Sequence, residues 1–334
     1  MFASSLIASP IRNISPAPAV GIATHRGIAF GLVAALIWGS YMAISNHGIE
    51  AGLRPADLAF IRYTVAGLLL LPWLIRHAPL HLGGIGWRKG LTLSLFAGPL
   101  FVLVGTSGYR FAPLSHGAVI QLGALTVASF LLASALIGER AGRRRLAGLG
   151  VIIAGLAVTA GPSLFEGGST AWIGDLLFVA AGAMWALFTV LQRRWAIDPM
   201  AATAVVSVVS AAIYVPLYLA SQGFTRIAAT APAMLAEQIL VQGVLGGVIA
   251  LFAFSRAVQD LGAGRAALFP TLAPAIAILA GLPLGGGIPT VLQTAGLLIL
   301  SLGMLIAVTG SPSAFHQTLS PAPSIIAGSS ELRP

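Results

Sequence analysis

Cysteine is absent from the 334 residues, which excludes disulfides, thiolate metal sites and cysteine nucleophiles. Charge is scarce as well: 8% of residues are Asp, Glu, Lys or Arg, where a soluble domain carries about 25%. So little charge cannot furnish a water-facing surface, and a mean hydropathy of +0.94 agrees. A soluble enzyme is thereby disfavoured. Acidic residues are scarcest, nine against 18 Lys and Arg, for a net charge of +9. These basic residues are scattered and form no dense stripe, so no nucleic-acid partner is expected. No segment alternates polar and apolar residues over ten positions, which argues against an outer-membrane barrel.

Long apolar runs are abundant. A hydrocarbon core about 30 Å thick takes roughly 20 residues at 1.5 Å each. Ten such stretches fall near 28–46, 57–75, 90–109, 117–137, 146–165, 173–192, 200–220, 237–256, 264–283 and 289–309. They predict an all-α membrane protein crossing the lipid bilayer ten times. With the N-terminus in the cytoplasm, 14 of the 18 Lys and Arg fall inside, three outside (Arg54, Arg110, Arg226), and Arg62 lies within a span. The excess of positive charge inside sets this orientation, with both termini cytoplasmic and the cell membrane as the location. Residues 1–27 and 310–334, rich in Ser and Pro, read as flexible cytoplasmic tails. The first tail is basic and free of acid, a composition that transit peptides share, and no basic residue precedes the apolar Leu6-Ile7-Ala8 as a secretory signal requires.

The halves 28–165 and 173–309 resemble each other at an offset of about 147 residues. Trp38 corresponds to Trp185, the turn 112–117 to 259–264, and Gly148 and Gly155 to Gly296 and Gly303 at one residue more. Five helices is an odd number, so the second half enters the membrane upside down. Inverted five-helix repeats have two related shapes, one open to each side, which is the physical basis of alternating access in secondary transporters.

On particular residues the chain resembles the drug/metabolite transporter superfamily, in its ten-helix EamA branch. They are Ala35-Leu36-Ile37-Trp38-Gly39-Ser40, Phe60-Ile61-Arg62-Tyr63, Gly138-Glu139-Arg140 with Arg143-Arg144-Arg145, and Leu261-Gly262-Ala263-Gly264-Arg265-Ala266. The second repeat departs from the family pattern, reading Gly285-Gly286-Gly287 where a Gly-Glu pair is usual. The resemblance implies a carrier of small metabolites, with helices 1–4 and 6–9 around a cavity and helices 5 and 10 outside them.

Ionisable residues within a membrane are costly, so each is a site candidate. Arg62 either pairs with a substrate carboxylate or phosphate, or snorkels outward or neutralises Asp57. Trp38 and Trp185 stand at mid-span, away from the interface that tryptophan favours. They form an aromatic site with Tyr41 and Thr189, or simply pack. Gln121 lies on a small-residue stripe with Gly117, Ala124 and Ala128, which suits a substrate amide or carboxylate, or close helix contact. Pro270 and Pro274 free backbone carbonyls and make helix 9 a bending gate with Thr271 beside it, or a static kink.

No carboxylate is expected mid-membrane, so proton coupling would fall to an end-located carboxylate or to His116; the composition leans instead to a facilitator. The histidines have no metal-ligand spacing, and no metal or cofactor is expected. An enzyme lacks a reactive set at common depth, and a channel lacks rings of charge. The expected partner is a small amphipathic metabolite, an amino acid or a relative, exported by alternating access. A nucleotide-sugar or sugar-phosphate carrier is the alternative, disfavoured by a single deep cation. A homodimer is left open.

Overall fold

The computed structural model describes residues 20–140, 142–165 and 169–309, and both expected tails fall largely outside that range. The main helices are α1 Val20–Glu50, α2 Pro55–Arg76, α3 Trp87–Gly108, α4 Leu114–Ile137 and α5 Arg143–Phe165 in the first half. The second half holds α6 Ala171–Arg194, α7 Pro199–Gln222, α8 Pro232–Leu261, α9 Phe269–Leu284 and α10 Val291–Thr309. Among the described residues, nine are long and apolar enough to cross a membrane, and α9 is a shorter apolar helix. Large side chains such as Leu68, Leu131, Ile153, Leu217, Leu279 and Leu298 stand exposed along these helices. Such a surface is stable against lipid and not against water.

Two boundaries differ from the sequence expectation. Helix α1 begins at Val20, inside the segment read as tail. Helix α9 is shorter than the expected 264–283 and is wound as 3-10 turns at Phe269–Leu272 and Leu282–Leu284, around an α segment Ala273–Gly281. Pro270, Pro274 and Pro283 each remove a backbone donor, so a continuous α ladder cannot form there.

Other helices are irregular too. Helix α3 breaks at Gly98, whose backbone is extended (φ −89, ψ −154) ahead of Pro99. Proline disfavours α geometry in the residue before it. The Tyr63 hydroxyl donates to the Ala97 carbonyl at this break, 2.7 Å away. Helices α4 and α8 contain π-wound stretches at Gly117–Gln121 and Ile239–Ile249. Such stretches are rare and concentrate at functional sites.

The principal interfaces join helices of different repeats: α1 with α8 and α9, α2 with α7 and α8, α3 with α6 and α7, α4 with α6, and α5 with α10. Exchanging each helix for its counterpart five places on maps this set onto itself, as a pseudo-two-fold axis requires. The repeats are therefore interlaced rather than side by side. Helices α1, α2, α8 and α9 form one mixed bundle and α3, α4, α6 and α7 the other, with α5 and α10 packed together outside. Glycine permits that outer pair: a Cβ on Gly155 would meet the Leu300 nitrogen at 2.7 Å, and one on Gly303 the Ile152 nitrogen at 2.7 Å.

Candidate functional site

A cavity of about 220 Å³ lies between the two mixed bundles. We call the face where α1 begins and α10 ends the terminal side, and the opposite face the distal side. Arg62 lies on α2 seven residues from Pro55, about 10 Å below the distal end. Phe254 and Pro270, which line the other extremity, lie near the terminal ends of α8 and α9. The cavity thus runs from the distal third of the membrane towards the terminal side.

Five of the residues singled out in the sequence converge on this space: Trp38, Tyr41, Arg62, Gln121 and Trp185; Pro270 lines it as well. Thr189 and Thr271 do not. Their hydroxyls donate to the Ala186 and Leu268 carbonyls of their own helices, the usual fate of threonine in an apolar helix. Pro274 is buried behind Ala273, which takes the lining position. Helix α7, expected among the enclosing helices, contributes no lining residue.

The walls are aromatic. Trp38 packs against Phe254 with ring centroids 5.2 Å apart, and Trp185 against Phe101 at 5.0 Å and Phe188 at 5.2 Å. The α1–α8 and α6–α3 contacts thus each supply one tryptophan and one phenylalanine. At the distal end the Arg62 guanidinium stands 5.0 Å from the Tyr41 ring centroid and 5.9 Å from that of Tyr63. Gly246 faces this end of the cavity: a Cβ there would crowd the Tyr41 ring at 3.3 Å and sit in ordinary contact, 3.5 Å, with the guanidinium. Among the described residues no carboxylate pairs with Arg62. Asp57, the partner considered for it, is buried and accepts instead from the Tyr218 hydroxyl at 2.6 Å and the Arg54 backbone nitrogen at 2.8 Å, with Arg226 at 3.5 Å. Gln121 stands on the π-wound stretch, and Gly182 brings α6 against it: a Cβ there would meet the Gln121 carbonyl at 2.5 Å.

A packed seal bounds the cavity on one side. On the distal side Met42 and Ala43 of α1 and Ala277 and Ile278 of α9 pack against Leu114, Ala118 and Phe178 of α4 and α6, with Tyr109 in the same cluster. This apolar seal joins one mixed bundle to the other. On the terminal side ion pairs tie neighbouring helices together without crossing the cavity from one bundle to the other. Arg26 forks onto Asp260 at 2.7 and 2.9 Å, and Glu139 holds Arg145 at 2.8 Å and Arg193 at 3.2 Å. Burial alone would raise the Glu139 carboxyl, but the two guanidiniums outweigh it and hold the group below its ordinary value.

A polar group escaped sequence reasoning. Gln238 and Gln242 of α8 are fully buried. Gln242 donates to Ser45 at 2.8 Å and to Gln238 at 3.2 Å, while Gln238 donates to the Ile44 carbonyl at 3.0 Å. The Gln242 Oε1 is buried without a partner, one turn from the Gly246 that faces Arg62. Two glutamines four residues apart on an apolar helix were the available signal. Among the described residues no cluster of His, Asp and Glu could hold a metal ion.

Nine membrane-length helices and a shorter apolar one among the described residues, interlaced inverted repeats and a cavity at their interface define a carrier-type membrane protein. The EamA-like transporter family model matches residues 25–161 and 172–309, one match per repeat. The chain belongs to the EamA-like transporter family, and it is a transporter rather than an enzyme. It is 26% identical over 263 residues to an uncharacterized transporter of Archaeoglobus fulgidus, covering 75% of this chain and 85% of that one. A solved structure titled only as the crystal structure of a protein shares the fold, with a TM-score of 0.57 at 19% identity over 85% of this chain and 97% of that one.

Proposed function

We propose that this transporter carries a small amphipathic metabolite bearing a carboxylate, an amino acid or close relative, and exports it from the cytoplasm by alternating access. The observation that carries the reading is a cationic guanidinium without a carboxylate partner at the closed end of an aromatic-walled cavity. A substrate carboxylate would neutralise Arg62, and its apolar part would lie between Trp38 and Trp185. Gln121 would take a hydrogen bond from an amine or amide. The moving bodies are the two mixed bundles rather than the two repeats, because the cavity and the distal seal both lie where these bundles meet. With both termini cytoplasmic, as the basic residues predict, this conformation faces the cytoplasm. Among the described residues Arg62 is the sole cation lining the cavity, which disfavours nucleotide sugars and sugar phosphates.

A charge-assisted hydrogen bond is worth about 1.5–3 kcal/mol, or about ten- to hundredfold in binding. In proteoliposomes, Arg62→Ala is expected to slow L-phenylalanine flux by about that factor while slowing phenylalaninamide, which lacks the carboxylate, far less. Equal losses for both compounds would make Arg62 a folding residue and remove the basis of the reading.

A further inference from the structure

Basic residues are scarce on the distal side, where the sequence places only Arg54, Arg110 and Arg226. They come from three separate connections, α1–α2, α3–α4 and α7–α8, yet all three line one recess of about 840 Å³. Arg54 donates to the Gln222 amide oxygen at 3.1 Å, and among the described residues neither Arg54 nor Arg110 pairs with a carboxylate. Arg226 is tied down, by the Gly52 carbonyl at 3.1 Å and Asp57 at 3.5 Å. Among the described residues one carboxylate lines the recess, Glu50, and it accepts from Asn46 at 2.8 Å. Three guanidiniums therefore face two carboxylates even with Asp57 counted, and the recess keeps a positive excess. A charged cleft with apolar walls, here Ile49, Leu53 and Leu103, focuses the field and concentrates counter-ions.

The recess lies on the distal side of the central cavity. Between the two is a gap of about 10 Å³, room for about one water. The gap shares Tyr41, Met42, Phe101 and Gln121 with the cavity and Tyr109 with the recess. Met42 and Tyr109 both belong to the distal seal. Parting of that seal would join the cavity to the recess along α1 and α3.

We propose that the recess is a second carboxylate-binding site, on the exit path, where Arg54 and Arg110 receive the substrate's carboxylate after it leaves Arg62. The proposal rests on the export of a carboxylate compound argued above. Arg62 lies within the membrane and holds that group in apolar surroundings. Exposed guanidiniums hold it weakly, because water and salt screen an exposed charge pair. A weak site next along the path draws the carboxylate outward without keeping it.

The absence of native cysteine permits a direct test in an uncharged detergent, where both faces are accessible. Ser107→Cys places a thiol in the recess, and Ile288→Cys, in the exposed α9–α10 turn, is the reference. Each is modified with an anionic sulfonatoethyl and a cationic trimethylammonium-ethyl methanethiosulfonate. The anionic-to-cationic rate ratio is expected to be about tenfold higher at Ser107→Cys than at the reference, and to fall about threefold with Arg54→Gln or Arg110→Gln. Several millimolar L-phenylalanine is expected to slow modification of Ser107→Cys about threefold by filling a weak site, with phenylalaninamide without effect and the slowing retained in Arg62→Ala. A ratio at the reference level, or one that neither arginine variant lowers, overturns the proposal, and these ratios decide alone if Arg62→Ala does not fold. Equal slowing by phenylalaninamide, or slowing lost in Arg62→Ala, overturns it too by placing the effect in the central cavity. Slowing by phosphatidylglycerol added to the micelles, and not by L-phenylalanine, would assign the recess to a lipid headgroup instead. Labelling needs no turnover, so retained slowing without L-phenylalanine flux would sink only the export reading, and flux without slowing only the recess site.

Discussion

The two repeats match in backbone and differ in polar chemistry. At the offset of 147 residues that relates the two family matches, Trp38 meets Trp185 and Tyr41 meets Phe188, and their apolar positions keep their character. The polar positions do not: Arg62 falls opposite Val209, Gln121 opposite Leu268, His116 opposite Ala263, Asp175 opposite Ile28 and Glu139 opposite Gly286. Gln238 and Gln242 likewise fall opposite Leu91 and Leu95. The pseudo-symmetry that permits two exchangeable shapes resides in the packing. The polar side chains at and around the cavity are ones that only one repeat supplies.

The symmetric part fails hardest, because at the outer helix pair backbone meets backbone. Gly155→Leu and Gly303→Leu are each expected to abolish recovery of monodisperse protein in detergent, to the same degree. An added Cβ would strike main-chain nitrogen in both cases, and neither backbone can withdraw without separating α5 from α10. Gly150→Leu, on the same α5 where nothing lies within 4 Å, is the control and should elute like the native protein. A large difference between the two harmful variants would break the equivalence of the repeats at this interface.

Arg62 and Val209 probe the asymmetric part. Arg62→Ala carries the loss of about ten- to hundredfold for carboxylate substrates argued above. Val209→Ala, in a cluster with Leu74, Leu82 and Val205 away from the cavity, should cost about 1 kcal/mol of stability and leave the flux of folded protein unchanged. Matching flux defects in the two variants would show that the position, and not the guanidinium, matters.

Much of this division was legible in the amino-acid sequence. Apolar run length located the helices, and the Trp38–Trp185 offset located the inverted repeat. Arg62 and Gln121 stood out because polar groups in an apolar helix demand a partner or water. The interlacing of the repeats was not legible, since hydropathy along one helix carries no record of which other helix it meets. Nor were the π-wound stretches, where the winding follows from packing: Gly117 against Tyr109 and Phe178, and Gly182 against the Gln121 carbonyl. His116 and Asp175 each read as a span-end residue, and only tertiary contact turns them into a buried pair. Thr189 and Thr271 were misplaced because a hydroxyl that bonds its own helix looks the same in sequence as one that lines a cavity.

The paired tryptophans sharpen the comparison at smaller scale. Trp185 packs against Phe101 and Phe188, whereas among the described residues Trp38 has one aromatic neighbour, the tilted ring of Phe254. An aromatic pair adds about 0.5–1.5 kcal/mol beyond its buried area. In thermal unfolding, Trp185→Ala should therefore cost more than Trp38→Ala by about that amount, while both slow transport alike because they face the same cavity. Equal stabilities would mean that the Phe188 contact is energetically idle.

The smallest effect is expected at Glu139, where repeat one has an ion pair and repeat two has Gly286. Arg145 and Arg193 hold the carboxyl below its ordinary value of 4.5, tying the α4–α5 turn to the end of α6. A depressed carboxylate adds stability that is present above its unfolded value and lost as pH falls through the lower folded value. The pair is partly exposed, so solvent and salt reduce its worth to about 1 kcal/mol or less. Glu139→Gln should thus unfold slightly earlier than the native protein at pH 7 and coincide with it once acid has protonated the folded carboxyl, below its ordinary value. Because Gly286 has no carboxyl to lose, Gly286→Ala should produce no such pH-dependent gap. If a gap of equal size appeared there, the ionic tie would not be what distinguishes the terminal ends of the two repeats.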